Sequence, residues 1–205
     1  MNTSDSPPRV ATRWYPQQCW LRSDIPADLT SWLLDTASLT RRLQRLCSGE
    51  FQVRVLSQAR GRPRQDEARV LQVRQGNQAI IRQVQLLCDQ QPWVYARTVI
   101  PAASLRGRLK RLAHLGSRPL GAMLFADPGM RRGVVELARI APGQPLFVDA
   151  LRHSRQRPGE IWGRRSVFWI AGKPLLVSEI FLPGFPADGQ KDRSGKLADF
   201  DGGRV

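Results

Sequence analysis

Ile80-Ile81-Arg82-Gln83-Val84-Gln85-Leu86-Leu87-Cys88, followed across Asp89-Gln90-Gln91 by Pro92-Trp93-Val94-Tyr95-Ala96-Arg97-Thr98-Val99-Ile100-Pro101, decides the fold. Both runs are short, apolar and rich in β-branched and aromatic residues. A three-residue connection between such runs predicts an antiparallel hairpin. A second hairpin is predicted from Arg164–Ile170 and Pro174–Leu182 around Ala171-Gly172-Lys173. Phe51–Leu56 alternates as a strand, a further strand is expected at 70–74, and Arg132–Ile140 reads as another. Helical spacing begins at Pro26, with Leu29, Trp32 and Leu33 on one face, and resumes at Leu39–Leu46 behind a Ser38 cap. That pair reads as a covering helix or lid over a ligand. Ala102–Leu115, Pro119–Phe125 and Leu146–Arg152 are the other helical stretches, while polar residues 58–69 read as a mobile loop. With no repeat and no dividing linker, the expectation is one α+β domain: a six-stranded antiparallel sheet covered by helices over an enclosed pocket. Its predicted bounds are 19–186, between a loosely held segment 1–18 and a disordered tail 187–205.

Composition narrows the function classes. The chain has 205 residues, 41% of them hydrophobic, enough for one core with an enclosed small-molecule site. No run approaches the length of a membrane span, and the start lacks the pattern of a secretory signal, so a cytoplasmic protein is expected. Thirty-two basic against 17 acidic residues give a net charge of +15. The arginines are scattered, however, with no block of like charge and no basic-aromatic motif, so no specific nucleic-acid partner is expected. An anionic small substrate is compatible with that charge. Cys19, Cys47 and Cys88 are odd in number and far apart, which implies neither a disulfide framework nor a thiolate metal site; Cys88 reads as an inert core thiol. His114 and His153 stand in no metal-ligand spacing, and nucleophile-elbow, phosphate-loop and dinucleotide motifs are missing. A cofactor-free reaction driven by positioning survives these exclusions.

Strand parity then isolates two charges. Arg82 shares a face with Ile80, Val84, Leu86 and Cys88, while Gln83 and Gln85 mark the opposite, wetter face. Glu179 shares a face with Leu175, Val177 and Phe181. A charge on an apolar face is costly unless it is paired. Either Arg82 and Glu179 form a buried ion pair, or each pairs elsewhere, or they line a polar-ended pocket. In the last case Arg82 offers a planar fork to a carboxylate, and Glu179 accepts a hydrogen bond or a proton.

Along these strands the sequence resembles the chorismate lyase family of ubiquinone biosynthesis. The resemblance is carried by Pro92–Pro101, by Arg118-Pro119-Leu120-Gly121, by Trp162-Gly163-Arg164-Arg165-Ser166 and by Gly172–Pro183, with Leu33-Leu34 and Thr40-Arg41-Arg42 ahead of them. Together these span roughly residues 18–186. The resemblance implies a lyase that eliminates pyruvate from chorismate to leave 4-hydroxybenzoate. It would act without metal or organic cofactor, as a monomer with no membrane partner, its product enclosed beneath helical flaps. It implies that Arg82 holds the ring carboxylate, that Glu179 lies near the ring hydroxyl, and that Leu39 and Leu120 contact the ligand through their backbone. Arg97 would help with the enolpyruvyl carboxylate, or else be a structural arginine. Arg164 and Arg165 have opposite parity, so at most one faces the pocket; both read as structural. Ala96 stands where glycine is expected, Leu39 where methionine is familiar, and the 141–160 connection is longer than the family pattern. The alternative is an effector domain of the same fold without catalysis. The 25 residues before Pro26 are too few for the DNA-binding unit that such domains follow.

Overall fold

The computed structural model describes residues 10–186. Eight strands form one antiparallel sheet: β1 (Tyr15–Pro16), β2 (Phe51–Gly61), β3 (Ala79–Cys88), β4 (Gln91–Pro101), β5 (Arg131–Arg132), β6 (Glu136–Ile140), β7 (Ile161–Ile170) and β8 (Lys173–Phe181). Their order is β1-β6-β7-β8-β4-β3-β2, with the two-residue β5 set against β7. Six of the expected strands form and are joined by two two-residue strands, β1 and β5. Glu136–Ile140 is separated from Arg131–Arg132 because Gly133 crosses the Trp169 ring so closely that a Cβ there would lie 2.9 Å from it.

Both hairpins form. Asp89 and Gln90 turn the first with φ of 46° and 65°; Ala171 and Gly172 turn the second with 49° and 72°. These left-handed pairs match the twist of antiparallel strands. Each turn therefore has two residues rather than three, because Gln91 and Lys173 already belong to β4 and β8.

Helices cover both faces. On one, α1 (Thr30–Leu34) and α2 (Leu39–Leu46) place Trp32, Leu33 and Leu43 on Val84, Leu86 and Val94. Farther along, 3-10 turns at Gly107–His114 and α4 (Leu120–Phe125) place Leu112 and Leu124 on Ile100, Phe168 and Leu175. Ser38 caps α2, accepting from the Arg41 amide at 3.5 Å, a device worth about 1 kcal/mol at good geometry. On the other face, α5 (Pro145–Leu151) packs Leu146, Phe147 and Ala150 on Tyr95, Ile140 and Ile180. There Leu71, just after α3 (Gln65–Val70), packs with Val99, Val167 and Leu176. Gln85, expected on the wetter face, is buried under this layer.

Four expectations need correction. Residues 58–69 are not a mobile loop: β2 runs on to Gly61 and α3 follows, pinned by long-range ion pairs from Arg64 to Asp149 (2.6 Å), Asp66 to Arg165 (2.7 Å) and Glu67 to Arg97 (2.6 Å). No strand occupies 70–74, which turns out of α3. Cys88 is not a free thiol but is joined to Cys47, since the end of α2 and the end of β3 meet with Cα atoms 5.7 Å apart, inside the range a disulfide spans. Residues 10–18 are also held: β1 pairs with β6, the Gln17 amide donates to the Val135 carbonyl at 2.9 Å, and Arg165 stacks over Trp14 at 4.7 Å. Residues 1–9 and the tail 187–205 lie outside the described residues. Among the described residues no helix is long and apolar enough to cross a membrane.

Candidate active site

Between the α1–α2 group and the α4 group the sheet is left uncovered by core side chains, and a cavity opens there. Val84, Ala96, Thr98 and Val177 form its floor; Ser38, Leu39 and Thr40 at the start of α2 meet Leu120 and Gly121 at the start of α4 as its roof. The two helix starts touch closely. A Cβ on Gly121 would lie 3.1 Å from Thr40 Oγ1 and 3.3 Å from Ser38 Oγ, so a larger residue there would require the two hydroxyls to give by a few tenths of an ångström.

Arg82 and Glu179 both line this cavity, together with Leu39 and Leu120. The register explains their placement. Val84, Ala96 and Glu179 lie abreast on β3, β4 and β8, with Arg82, Thr98 and Val177 in the adjoining row. Two strand spacings and one same-face step put their Cα atoms about 12 Å apart. They are not partners of each other. Arg82 is 2% exposed and donates from Nη2 to the carbonyls of Gly116 (2.8 Å) and Arg118 (3.2 Å), both in the segment before α4. Its Nε is buried with no partner, and burial pushes its guanidinium below the usual value. Among the described residues no carboxylate forms an ion pair with it.

Glu179 is paired instead with Arg164, its direct cross-strand neighbour in the β7–β8 register; Arg164 Nε donates to Oε2 at 2.7 Å. Arg164 is in turn fixed from below the lid, donating from Nη1 to the carbonyls of Trp32 (2.6 Å) and Asp35. Glu179 is therefore held as an oriented hydrogen-bond acceptor whose Oε1 accepts no hydrogen bond among the described residues. The pairing was readable from the hairpin: with Ala171-Gly172 as a two-residue turn, Arg164 must oppose Glu179. A three-residue turn would have placed Arg165 there.

Arg97 does not reach the cavity. It faces the opposite side of the sheet, 5% exposed, and donates to both oxygens of Glu67 at 2.6 and 3.0 Å. The cause is alternation, since its neighbours Ala96 and Thr98 line the cavity. Burial alone would raise the Glu67 carboxyl, but the hydrogen bond and charge of Arg97, with the amide and charge of Arg64, bring it below its usual value. Arg165 is on that face too, paired with Glu136 and Asp66 at 2.7 Å each. Of the Arg164–Arg165 doublet only Arg164 faces the cavity, as parity allowed, and there it orients Glu179. Arg132 also lines the cavity and was missed, because the strand expected at Arg132–Ile140 is broken after Arg132 and its alternation does not carry across the break.

Comparison with known proteins bears on this arrangement. The family model described as chorismate lyase matches residues 14–187. The chain belongs to the chorismate lyase family. A relative from Methylococcus capsulatus named "Probable chorismate pyruvate-lyase" is 45% identical over 76% of this chain and 94% of its own length. A relative of the same name from Azoarcus sp. (strain BH72) is 46% identical over 78% of this chain and 88% of its own length. That from Nitrosospira multiformis is 36% identical over 83% of this chain and 92% of its own length. The match to the chorismate lyase model encloses every strand described above, so the sheet that carries Arg82, Arg164 and Glu179 is the family's domain. No group of three or more His, Cys, Asp or Glu among the described residues is arranged to hold a metal ion.

Proposed function

We propose that this chain is a chorismate pyruvate-lyase, converting chorismate into 4-hydroxybenzoate and pyruvate with neither metal nor organic cofactor. The observation that carries the reading is the state of Arg82: a buried guanidinium with an orphaned Nε and no carboxylate partner, facing an apolar cavity. A buried donor left unsatisfied costs about 1–3 kcal/mol, more when charged, and a ligand carboxylate removes that cost by taking the fork. The apolar floor suits a six-membered ring, and the Arg164-oriented Glu179 suits the hydroxyl at the ring's far end.

The chemistry asks for positioning rather than for a strong reagent. Loss of the C4 proton and rupture of the C3–O bond create an aromatic ring, so the step is driven by its product. The electron pair of the C–H bond becomes the C3–C4 π bond, and the pair of the C–O bond leaves on the enolpyruvate oxygen. Enolpyruvate then takes a proton on its methylene carbon and becomes pyruvate. A dianion thus gives two monoanions with atoms and charge in balance. Arg82 anchors the ring carboxylate, Glu179 orients the C4 hydroxyl and stands beside the C4 proton, and closure of the Ser38–Thr40 and Leu120–Gly121 roof excludes water.

The test is incubation of the full chain with chorismate in chelator-treated buffer, assaying pyruvate and 4-hydroxybenzoate together. Equimolar appearance of both is expected. Absence of both products, at low and at high salt, would overturn the reading. Glu179→Gln separates proton acceptor from orienter: near-normal turnover removes Glu179 as an obligatory base.

A further inference from the structure

Three arginines border the cavity at or near the Glu179 end and the Arg82 end, and their charge balance differs. Arg164 is neutralised by Glu179 at 2.7 Å. Arg82 serves the opposite end. Arg132 stands on the Glu179 side, because β5 pairs with β7 at Phe168 and its side chain runs back along β7: Nε donates to Ser166 Oγ at 3.0 Å, one same-face step from Arg164. Nη1 donates to the Thr36 carbonyl at 2.7 Å, in the segment that leads into α2, and the guanidinium lies 5.3 Å from the Phe168 ring centre. Among the described residues it forms no ion pair, and its Nη2 has no protein acceptor. Burial, then the positive charge of Arg164, push its guanidinium below the usual value, with Glu179 and Asp35 offsetting only part of this. The Glu179 end of the cavity therefore carries an uncompensated positive charge with a free pair of N–H groups.

We infer that Arg132 receives a second carboxylate, that of the enolpyruvyl ether, and so adds to the site's affinity for a dianionic ring ether. This rests on the proposed lyase reading. The geometry fits because the ether carbon C3 adjoins the hydroxyl carbon C4: a ring anchored by Arg82 with its hydroxyl at Glu179 carries its side chain at the same end as Arg132. The same contact ties the ligand to the lid, since Arg132 already holds Thr36. When the C3–O bond breaks, negative charge moves to an oxygen next to that carboxylate, where a preorganised guanidinium counts most. Once pyruvate has left, nothing remaining on the ring engages Arg132.

The test uses two aromatic probes on the full chain: 3-(carboxymethoxy)-4-hydroxybenzoate, a dianion with its second carboxylate on an ether beside the hydroxyl, and 4-hydroxybenzoate. Calorimetry on the wild type, Arg132→Gln and Arg132→Lys should show Arg132→Gln binding the dicarboxylate at least tenfold more weakly. Its affinity for 4-hydroxybenzoate should stay within threefold, its KM for chorismate should rise at least tenfold, and Arg132→Lys should recover part of the loss. Equal losses for the two probes, or no loss for the dicarboxylate, would overturn the inference. If Arg132→Gln does not fold, the wild type alone decides: the dicarboxylate must bind at least tenfold more tightly than the matching ether carboxamide, and equal binding sinks the idea. A wild type that releases no pyruvate from chorismate fails the lyase reading itself. A wild type that turns over while Arg132→Gln keeps its KM fails only the inference.

Discussion

Replacing Arg97 by alanine should cost stability, not substrate affinity. The residue sits in the motif Ala96-Arg97-Thr98 beside the cavity, yet its guanidinium is on the reverse face with side chains 6% and 5% exposed for Arg97 and Glu67. Arg97→Ala leaves the Glu67 carboxylate buried with only the Arg64 amide, 2.8 Å away, and the charge of Arg64 to support it. Breaking one side of a buried, doubly hydrogen-bonded pair costs about 3–5 kcal/mol. For a chain of this size each kcal/mol moves Tm by roughly 2–4 °C, so calorimetry at pH 7 should show a fall of about 6–20 °C. At a temperature where the variant is folded, its KM for chorismate and its affinity for 4-hydroxybenzoate should stay within threefold of wild type. Replacing both partners by apolar residues, Arg97→Met with Glu67→Leu, should restore most of the loss. The pH dependence has a definite sign. The folded-state pKa of Glu67 is depressed, so the pair's contribution is fully present above the unfolded value of about 4.3 and is lost as pH falls through the lower folded value. The gap in Tm between wild type and Arg97→Ala should hold from pH 6 to 8 and narrow below about pH 4. A Tm unchanged at pH 7 with KM raised tenfold would refute the assignment and return Arg97 to the substrate.

Arg82→Ala should weaken 4-hydroxybenzoate binding by about 2–5 kcal/mol, the cost of truncating a buried charged partner; titration calorimetry reads it, and a change under threefold would remove Arg82 from the ligand. Gly121→Val should drive α4 from Thr40 and Ser38, so product release in stopped flow should quicken while KM rises; unchanged release would show that the roof is not the gate. The Cys47–Cys88 bond closes a loop of 41 residues, for which chain entropy gives about 4 kcal/mol. Dithiothreitol should therefore lower Tm by roughly 8–16 °C and leave a Cys47→Ser, Cys88→Ser variant unaffected, and equal responses of the two proteins would count against the bond.

The parts of the fold that were legible are those fixed by near-neighbour rules. Two apolar runs and a short connection give β3–β4 whatever the rest of the chain does, and parity then puts Arg82 on the cavity face. The same parity puts Arg97 with Gln83 on the other face, opposite it in register; resemblance of a motif says that a residue matters, while alternation says which side it serves. Residues 58–69 were opaque for the opposite reason. Locally Gln65–Val70 has little more than the Glu67 carboxylate accepting from the Arg64 amide at 2.8 Å to start a helix in so polar a stretch. Arg64, Asp66 and Glu67 are held by partners 30 to 99 residues away in sequence, and no window of the sequence contains those contacts. The disulfide is hidden in the same way, since it depends on where α2 ends over β3.

Charge shows most clearly what has to come from three dimensions. A net +15 says that carboxylates cannot neutralise every arginine, but not which arginines go without. In the fold the reverse face is matched pair by pair: Arg64 with Asp149, Arg97 with Glu67, Arg165 with Asp66 and Glu136. The cavity face is different. There one carboxylate, Glu179, lines the cavity with three guanidiniums, those of Arg82, Arg132 and Arg164, and it pairs with Arg164. Two guanidiniums are left over, one toward each end of an apolar floor, where desolvation makes an unmatched cation most expensive. Binding a ligand with a carboxylate at each end removes both penalties at once, and a ligand with one removes only the first. The arrangement that makes the empty site electrostatically costly is thus the same arrangement that suits a dianionic ligand.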